Sequence, residues 1–323
     1  MKSLIRRLWP SKQTISKLWP LVAVALFAAA GWLLYNNLKK HRWQDFIDAI
    51  AAIDNAHIMW ALGLTVLSYL VLAGYDFSAL HYVNKKVSKV RVFMAAFMGF
   101  AFSQNLGVAP ITGGSVRMRL YTDCGVDALN VAKVVAFCVL TYSIGVTAIF
   151  GFVMAFFPYY LEPFDFMPTW LSEVLGTITL ATVAGYIFWV SRRKEPIRFK
   201  GFEFHMPSAK ISIWQLLITL ADVGLASVIL YILLPESHII GYQHFFFVYV
   251  IATTVGILSH VPGGLGVFEW VVLTMLGNYY SPAVIFGTLL LFRLIYLMLP
   301  LVIAAMTLLA FEYYAGKKSL PKP

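Results

Sequence analysis

Long apolar stretches constrain the fold of this chain more than any other feature. A transmembrane helix needs about 20 mainly apolar residues to cross roughly 30 Å of hydrocarbon. Stretches of about this length cover Leu18–Tyr35, Ala56–Tyr75, Val90–Ala109, Val131–Phe157, Leu171–Val190, Ile211–Leu234, Tyr242–Val261 and Ala283–Phe311. The pattern predicts an all-α, polytopic helical membrane protein with about 8 transmembrane helices.

The composition agrees with this fold class. Hydrophobic residues make up 60% of the 323 positions and charged residues 12%, with a mean hydropathy of +0.77, so polar surface is too scarce for a soluble globule. We expect one transmembrane domain over 18–311, between a basic segment at 1–17 and a basic tail at 312–323. The triplet Ala28-Ala29-Ala30 resembles a signal-peptide cleavage site, but further spans follow and a retained first helix fits better.

The net charge of +10 is unevenly distributed, and its distribution indicates topology rather than nucleic-acid binding. Most lysines and arginines fall in four places between the apolar stretches: residues 2–17, 85–91, 192–210 and 317–322. Basic segments favour the cytoplasmic side, which predicts that both termini are cytoplasmic. Lys39, Lys40 and Arg42 are the exception, because they lie in a segment that this arrangement places outside the cytoplasm.

One element occurs twice. Pro110-Ile-Thr-Gly-Gly114-Ser-Val-Arg117 recurs 152 positions later as Pro262-Gly-Gly-Leu-Gly266-Val-Phe-Glu269, with the charge reversed at the last position. The charge bias predicts that the surrounding segments, about 90–155 and 242–311, cross in opposite directions as an inverted repeat. The alternative is a chance recurrence, because proline and glycine occur in many membrane helices. Gly/Pro-broken segments in matching halves are typical of a substrate pathway in transporters. Whether each broken segment crosses or is re-entrant stays open.

Four ionisable residues lie within apolar stretches or at the breaks: Arg117, Asp222, Glu269 and Arg293. A charge at mid-membrane costs about 2.5 to 3.5 kcal/mol on insertion scales, so each needs a partner or water. They either form buried ion pairs that fix helix register or bind substrate. The last stretch exceeds the bilayer thickness, and Pro300 offers a break one to two turns after Arg293.

The glycines of the two breaks suggest an anion site. Backbone amides at Gly113-Gly114 and at Gly263, Gly264 and Gly266 lack covering side chains, and a helix beginning there directs its positive end at an anion. Arg117 and Arg119 would strengthen a site for a phosphate-bearing headgroup. The alternative is that these glycines only permit close helix packing.

Two further residues are candidates for the pathway. Asp76 ends the second apolar stretch, where it is either a functional carboxylate or a solvated counter-charge to the basic turn. His260, two residues before Pro262, either relays protons or is a hydrogen-bonded structural residue.

Signatures of soluble enzymes are missing from the sequence. HExxH, GxSxG and a Walker lysine do not occur, and Cys124 and Cys138 have no metal-binding spacing. We therefore expect no enzymatic activity, no metal and no cofactor.

The motifs resemble a known family. Tyr75-Asp76, Gly113-Gly-Ser-Val-Arg117-Met-Arg119 and Pro262-Gly-Gly-Leu-Gly-Val-Phe-Glu269 are similar to the membrane region of lysylphosphatidylglycerol synthetase/flippase proteins, and more closely to YbhN-like bacterial inner-membrane proteins, which consist of that region alone. The resemblance implies location in a bacterial inner membrane and movement of an aminoacylated phospholipid between leaflets. It also implies roles for Asp76, Arg117 and Glu269.

Three functional hypotheses follow. The first is a flippase-like transporter of a phospholipid or its headgroup, with anionic or aminoacylated headgroups as ligands. In it, Arg117 and Glu269 form either a gate closed by their own salt bridge or two ends of a zwitterion site. The second is a non-transporting subunit that regulates or scaffolds a lipid-synthesising enzyme. The third is a lipid-modifying enzyme that uses Asp76, His260 or Glu269. A homo-oligomer is compatible with each.

Overall fold

The computed structural model describes residues 43–106, 110–164, 168–192, 197–199, 202–204, 208–235 and 239–319. The predicted first helix at Leu18–Tyr35 and the basic segment at 1–17 lie outside the described residues. So do residues 320–323 of the predicted tail.

The described chain is helical apart from one small hairpin, which confirms the predicted fold class. The α-helices are α1 (Trp43–Ala51), α2 (Asn55–Tyr82), α3 (Lys89–Leu106), α4 (Thr112–Asp123), α5 (Ala128–Phe156), α6 (Thr169–Arg192), α7 (Ala209–Ile232), α8 (Tyr242–Leu258), α9 (Val267–Leu276), α10 (Pro282–Phe292) and α11 (Leu299–Ser319). Short 3₁₀ segments cover Pro158–Phe164 and Pro262–Gly264. Two antiparallel strands, β1 (Ile197–Phe199) and β2 (Phe202–Phe204), lie between α6 and α7.

Several helices match the predicted spans. Within the described residues, five helical segments are long and apolar enough to cross a membrane: Asn55–Tyr82, Ala128–Phe156, Thr169–Arg192, Lys210–Ile232 and Pro282–Tyr314. The helix α6 is largely exposed along its length and carries exposed Trp170 and Trp189 near its two ends, as expected of a lipid-facing helix with interfacial aromatic residues. The total number of crossings stays a prediction.

The two repeat copies contain the same series of elements. Each has a helix, a break, a short helix and a long helix: α3, α4 and α5 in the first copy, and α8, α9 and the segment from α10 to α11 in the second. The short helices have 12 and 10 residues, or about 18 and 15 Å at 1.5 Å per residue. Neither can cross roughly 30 Å of hydrocarbon alone.

Each short helix folds back on the helix before it. In the first copy, a Cβ on Gly113 would lie 2.0 Å from Ser103 Oγ and 2.3 Å from the Gly99 carbonyl oxygen, so the two backbones are in direct contact. In the second copy, a Cβ on Gly264 would lie 3.5 Å from the Gly256 Cα. This arrangement favours the re-entrant hairpin of the two options that the sequence left open. The opposite orientation of the copies stays a prediction.

The last long helix is interrupted where the sequence placed a break. A π-helical turn, Arg293–Met298, separates α10 from α11, and Pro300 follows it. A proline cannot donate to the carbonyl four residues earlier, which here belongs to Tyr296. The Tyr69 hydroxyl donates to that oxygen at 3.3 Å, and Asn105 Nδ2 donates to the Leu297 carbonyl at 3.0 Å. Side chains from α2 and α3 thus satisfy the freed backbone groups.

Candidate functional site

The first buried ion pair joins Asp76 on α2 to Arg117 on α4. Arg117 Nη2 donates to Asp76 Oδ1 at 2.8 Å, and its Nε lies 3.0 and 3.1 Å from the two carboxylate oxygens. The side chains of Asp76 and Arg117 are 0% and 3% exposed. Asp76 is therefore a buried partner rather than the solvated counter-charge that was one of its two interpretations.

Neighbouring groups complete this site. The Tyr121 hydroxyl donates to Asp76 Oδ2 at 2.6 Å, and Cys138 Sγ lies 3.5 Å from Oδ1. The Arg117 guanidinium lies over the Phe100 ring, 4.6 Å from its centroid, which is a cation–π contact. The carboxylate and the guanidinium thus each have several partners, as buried charges require.

Gly99 makes room for the guanidinium. A Cβ at this position would lie 2.8 Å from Arg117 Nη1 and 2.9 Å from Cζ, closer than van der Waals contact allows. Any side chain on Gly99 therefore displaces Arg117 or separates α3 from α4. This glycine positions the ion pair without touching the carboxylate.

The second buried ion pair joins Glu269 on α9 to Arg293 in the π-helical turn. Arg293 Nε donates to Glu269 Oε1, and the Glu269 and Arg293 side chains are 5% and 14% exposed. Glu269 Oε2 accepts a hydrogen bond of 2.7 Å from the Gly266 amide, and so caps α9. Arg293 Nη1 and Nη2 each lie 3.3 Å from the Gly263 carbonyl oxygen. The second break is thereby tied to both members of the pair.

The backbone of the second break needs its glycines. Gly263, Gly264 and Gly266 have φ angles of +62°, +61° and +80°, in a region that residues with a Cβ rarely adopt. This path brings the Gly263 carbonyl to Arg293 and the Gly266 amide to Glu269. The glycines here serve the ion pair through the backbone.

The remaining glycines have different surroundings. Gly113 and Gly114 lie buried in the first turn of α4, and Gly113 packs against the α3 backbone. This contact favours the close-packing interpretation of that motif over an open cradle of amides. Pro110 and Pro262 stand just before the short helices, as the sequence indicated.

Arg117 and Glu269 occupy equivalent positions of the two copies but do not pair with each other. Arg117 binds Asp76 and Glu269 binds Arg293, so the gate formed by a direct Arg117 to Glu269 salt bridge is absent. The sequence could not distinguish these pairings, because opposite charges on several helices allow more than one combination. Buried pairing itself, one of the two interpretations of these residues, is observed.

Asp222 has a different environment. It lies buried near the middle of α7, 4% exposed, and accepts a hydrogen bond of 3.1 Å from the Tyr75 hydroxyl. The same hydroxyl lies 3.2 Å from Thr219 Oγ1. Among the described residues, no lysine, arginine or histidine forms an ion pair with Asp222.

Two predicted site residues lie apart from these groups. Arg119 is on the exposed side of α4, where its Nε is 2.7 Å from Glu312 Oε1 on α11 and its guanidinium lies 5.4 Å from the Phe311 ring centroid. His260 is exposed at the end of α8 with a φ of +54°, and its Nδ1 is 2.9 Å from the Leu258 carbonyl oxygen. The structure does not bring either side chain to the buried pairs, and their roles stay predictions.

Three residues of the first site were not predicted from the sequence. Tyr121 lies one turn after Arg117, and this spacing of four residues was a usable signal that both share a helix face. Cys138 was noted only for its lack of metal-binding spacing, and its contact with Asp76 was not predicted. Gly99 carried no signal, because its role depends on the packing of α4 against α3.

Comparison with known proteins identifies the family. The family described as the lysylphosphatidylglycerol synthase TM region matches residues 21–304. The chain belongs to this family. It is therefore an integral membrane protein of the lysylphosphatidylglycerol synthase TM region family, which confirms the resemblance carried by the motifs.

Relatives that consist of little more than this region cover nearly the whole chain. An uncharacterized protein of Synechocystis sp., slr0712, is 32% identical over 93% of this chain and 94% of its own length. The inner membrane protein YbhN of Escherichia coli is 28% identical over 90% of this chain and 91% of its own length.

A longer relative matches only in part. The phosphatidylglycerol lysyltransferase of Staphylococcus haemolyticus is 22% identical over 90% of this chain but only 34% of its own length. This chain thus corresponds to about a third of that protein. The name of the longer relative refers to the whole protein, so its activity does not pass to this chain by similarity alone.

Proposed function

We propose that this member of the lysylphosphatidylglycerol synthase TM region family moves a phospholipid, or its headgroup, between the leaflets of a bacterial inner membrane. The observation that carries the proposal is the pair of buried arginine to carboxylate contacts, Asp76 with Arg117 and Glu269 with Arg293. Each is held at one of two matching chain breaks, where transporters of other folds bind their substrates.

The two ion pairs match the chemistry of a phospholipid headgroup. The Arg117 guanidinium offers several donors to a carboxylate, and two oxygens of a phosphate can accept the same pair of hydrogen bonds. An ammonium group of a zwitterionic or aminoacylated headgroup would take the place of Arg293 at Glu269. Exchange of partners keeps Arg117 and Glu269 neutralised and releases Asp76 and Arg293, whereas opening both pairs without a headgroup leaves four uncompensated charges, at about 3 to 5 kcal/mol for each broken pair.

In this proposal, a bound headgroup and the ion pairs that hold the helices together compete for the same charged side chains. Without a headgroup, the buried pairs hold α2 against α4 and α9 against the π-helical turn. A bound headgroup supplies the counter-charges of Arg117 and Glu269, so the number of ion pairs stays at two as the helices separate. The acyl chains remain in the bilayer throughout, and the headgroup alone crosses the protein.

Charges near the predicted cytoplasmic face support anionic lipids as ligands. Lys85, Lys86, Lys89 and Arg91 lie around the turn between α2 and α3, and each basic residue close to an anionic surface contributes about 1 kcal/mol. Aminoacylated phosphatidylglycerol is one substrate class suggested by the name of the longer relative. In this proposal the protein is a transporter rather than an enzyme, and both termini are cytoplasmic.

The decisive experiment is lipid movement in reconstituted liposomes. Purified protein is placed in liposomes that carry labelled phosphatidylglycerol, phosphatidylethanolamine or lysyl-phosphatidylglycerol, and the label reaching the opposite leaflet is followed. Wild-type protein should accelerate movement of at least one lipid, whereas Arg117→Gln and Glu269→Gln should not. Movement equal to that in empty liposomes for every lipid would reject the proposal.

Two control variants separate charge loss in the site from charge loss elsewhere. Glu173→Gln removes an exposed carboxylate of α6, and Arg192→Gln removes an exposed guanidinium that lies over the Phe188 ring. Both should retain wild-type movement. If the controls and the site variants all keep function in cells while a partner copurifies in fixed ratio, the chain is instead a regulatory or scaffolding subunit.

A further inference from the structure

A line of polar side chains runs along one face of α7 inside an otherwise apolar span. Ser212, Gln215, Thr219 and Asp222 are spaced three, four and three residues apart, which places them on one side of the helix. All four are buried, with exposed fractions of 2%, 4%, 0% and 4%. The line begins in the first turn of α7 and covers about 15 Å at 1.5 Å per residue.

Hydrogen bonds join this line to two neighbouring helices. Gln215 Nε2 donates to Thr141 Oγ1 on α5 at 2.6 Å. Thr219 Oγ1 lies 3.2 Å from the Tyr75 hydroxyl on α2, which in turn lies 3.1 Å from Asp222 Oδ2. The Tyr75 hydroxyl is thus within hydrogen-bonding distance of both Thr219 and Asp222, and the Thr219 hydroxyl donates to the Gln215 carbonyl oxygen of its own helix at 3.0 Å. These three side chains form a hydroxyl relay that ends on a carboxyl group.

Within the described part of the chain, Asp222 interacts electrostatically with several tyrosines and forms no ion pair with a cation. Tyr69 and Tyr75 of α2, Tyr142 of α5, Tyr249 of α8 and Tyr296 of the π-helical turn lie within electrostatic range of its carboxyl group. Tyr186 of α6 is near Ser212 at the far end of the line, and α10 has no ionisable residue. A buried carboxylate without a cation carries a desolvation cost that one bound positive charge removes.

We infer that Asp222 is a proton-binding site that couples lipid movement to the proton gradient, with the polar line on α7 as the path to it. This inference rests on the proposed transport function. A proton reaches Asp222 by successive transfers between the hydroxyl groups of the relay. Tyr75 gives its proton to Asp222 Oδ2 and takes one from Thr219, whose hydroxyl first turns away from the Gln215 carbonyl oxygen. A hydronium ion that enters along α7 restores the proton on Thr219 and is left as water. The relay hydroxyls end unchanged, and one O–H bond has formed on Asp222.

The geometry selects a proton over larger cations. The Tyr75 hydroxyl directs its hydrogen at Asp222 Oδ2, which suits proton delivery, whereas a metal ion needs oxygen lone pairs directed at it. A headgroup ammonium is too large for a side chain that is 4% exposed and has neighbours on four other helical segments. A proton needs only a rotation of the Thr219 hydroxyl.

Tyr75 and Tyr249 link Asp222 to the buried ion pairs. Tyr75 precedes Asp76 in α2, so a change in the hydrogen bond to Asp222 acts on the residue that holds Arg117. Tyr249 lies within electrostatic range of both Asp222 and Arg293. Protonation of Asp222 therefore changes the surroundings of both pairs.

The test compares lipid movement with and without an imposed pH gradient across the liposome membrane. A gradient should accelerate movement by the wild-type protein, have no effect on Asp222→Asn and have a weaker effect on Thr219→Val. Thr254→Val is the matched control, because Thr254 is buried in α8 and bonds only to the Val250 carbonyl of its own helix in the described contacts. It should respond as the wild type does. The inference is overturned if the pH gradient has no effect on the wild type, or if a sodium gradient accelerates lipid movement in its place.

A second measurement does not depend on lipid movement. Infrared titration of purified protein should detect a protonated carboxyl group that appears as the pH falls and is missing in Asp222→Asn. Identical spectra for the two proteins overturn the proton site. A band specific to Asp222 in a protein that moves no lipid would keep the proton site and reject the transport function instead.

Discussion

Tyr75 and Asp76 are neighbours in the chain and belong to two different buried sites. The Tyr75 hydroxyl donates to Asp222 on α7, and the Asp76 carboxylate accepts from Arg117 on α4. One turn of α2 therefore connects a carboxyl group that pairs with no cation among the described residues to a fully paired one. This connection is the physical basis for a coupling between proton binding and headgroup binding.

Removal of one partner of the first ion pair should destabilise the fold strongly. Asp76→Asn leaves Arg117 buried without its counter-charge, and we expect a loss of about 3 to 5 kcal/mol in the free energy of unfolding. The double variant Asp76→Asn with Arg117→Gln should recover part of this loss, because no uncompensated charge remains. Chemical denaturation in detergent micelles measures both effects. Additive losses in the double variant would contradict a direct pair.

A charge exchange distinguishes the observed pairing from the alternative one. Glu269→Arg combined with Arg293→Glu keeps the opposite charges in contact and should recover part of the stability and lipid movement that either single variant loses. Arg117→Glu combined with Glu269→Arg should recover neither, because each new side chain faces a like charge. Recovery in the second combination alone would mean that Arg117 and Glu269 pair in the working protein.

Gly99 should not tolerate a methyl group. Gly99→Ala places a Cβ 2.8 Å from Arg117 Nη1, and we expect about 1 to 3 kcal/mol of overpacking strain together with reduced lipid movement. Gly185→Ala is the control, since nothing lies within 4 Å of a Cβ at this position in α6. It should be neutral or stabilise by up to about 1 kcal/mol through helix propensity. Thermal unfolding followed by circular dichroism compares the two variants.

The hydroxyl of Tyr69 should support the interruption of the last helix. Tyr69→Phe removes a donor to the Tyr296 carbonyl, which Pro300 leaves without its helical partner, and we expect a loss of about 1 kcal/mol. Tyr159→Phe, at a side chain that is 49% exposed, should change stability by no more than about 0.5 kcal/mol. Equal effects of the two substitutions in denaturation experiments would contradict this role.

Acid should weaken the start of α5. The Asp127 side chain accepts from the Asn130 amide and side chain, and these hydrogen bonds lower the pKa of its carboxyl group in the folded protein. A lowered folded-state pKa gives stability that is present above the unfolded pKa and lost as the pH falls through the folded value. Asp127→Asn keeps a capping group and should reduce the loss of stability in acid. An unchanged pH profile would exclude this contribution.

The sequence was sufficient for features that depend on local composition. Each apolar stretch within the described residues became a helix, and Pro300 marked the interruption of the last one. Arg117, Asp222, Glu269 and Arg293 were recognised because a charge in an apolar stretch needs an explanation wherever it points. The recurring element could be recognised in the sequence because glycine and proline act on the backbone next to them.

The tertiary structure alone decided which charge meets which. Asp76 and Arg117 are 41 residues apart and Glu269 and Arg293 are 24 apart, and their contact depends on how the hairpins of the two copies pack against the other helices. The same holds for Gly99, whose missing side chain matters only beside Arg117, and for Asp222, whose neighbouring tyrosines come from four other helical segments. Hydropathy is a sum over consecutive residues and can be read from the chain. Which charged residues pair depends on distances between helices, and these distances cannot be obtained from a sum over consecutive residues.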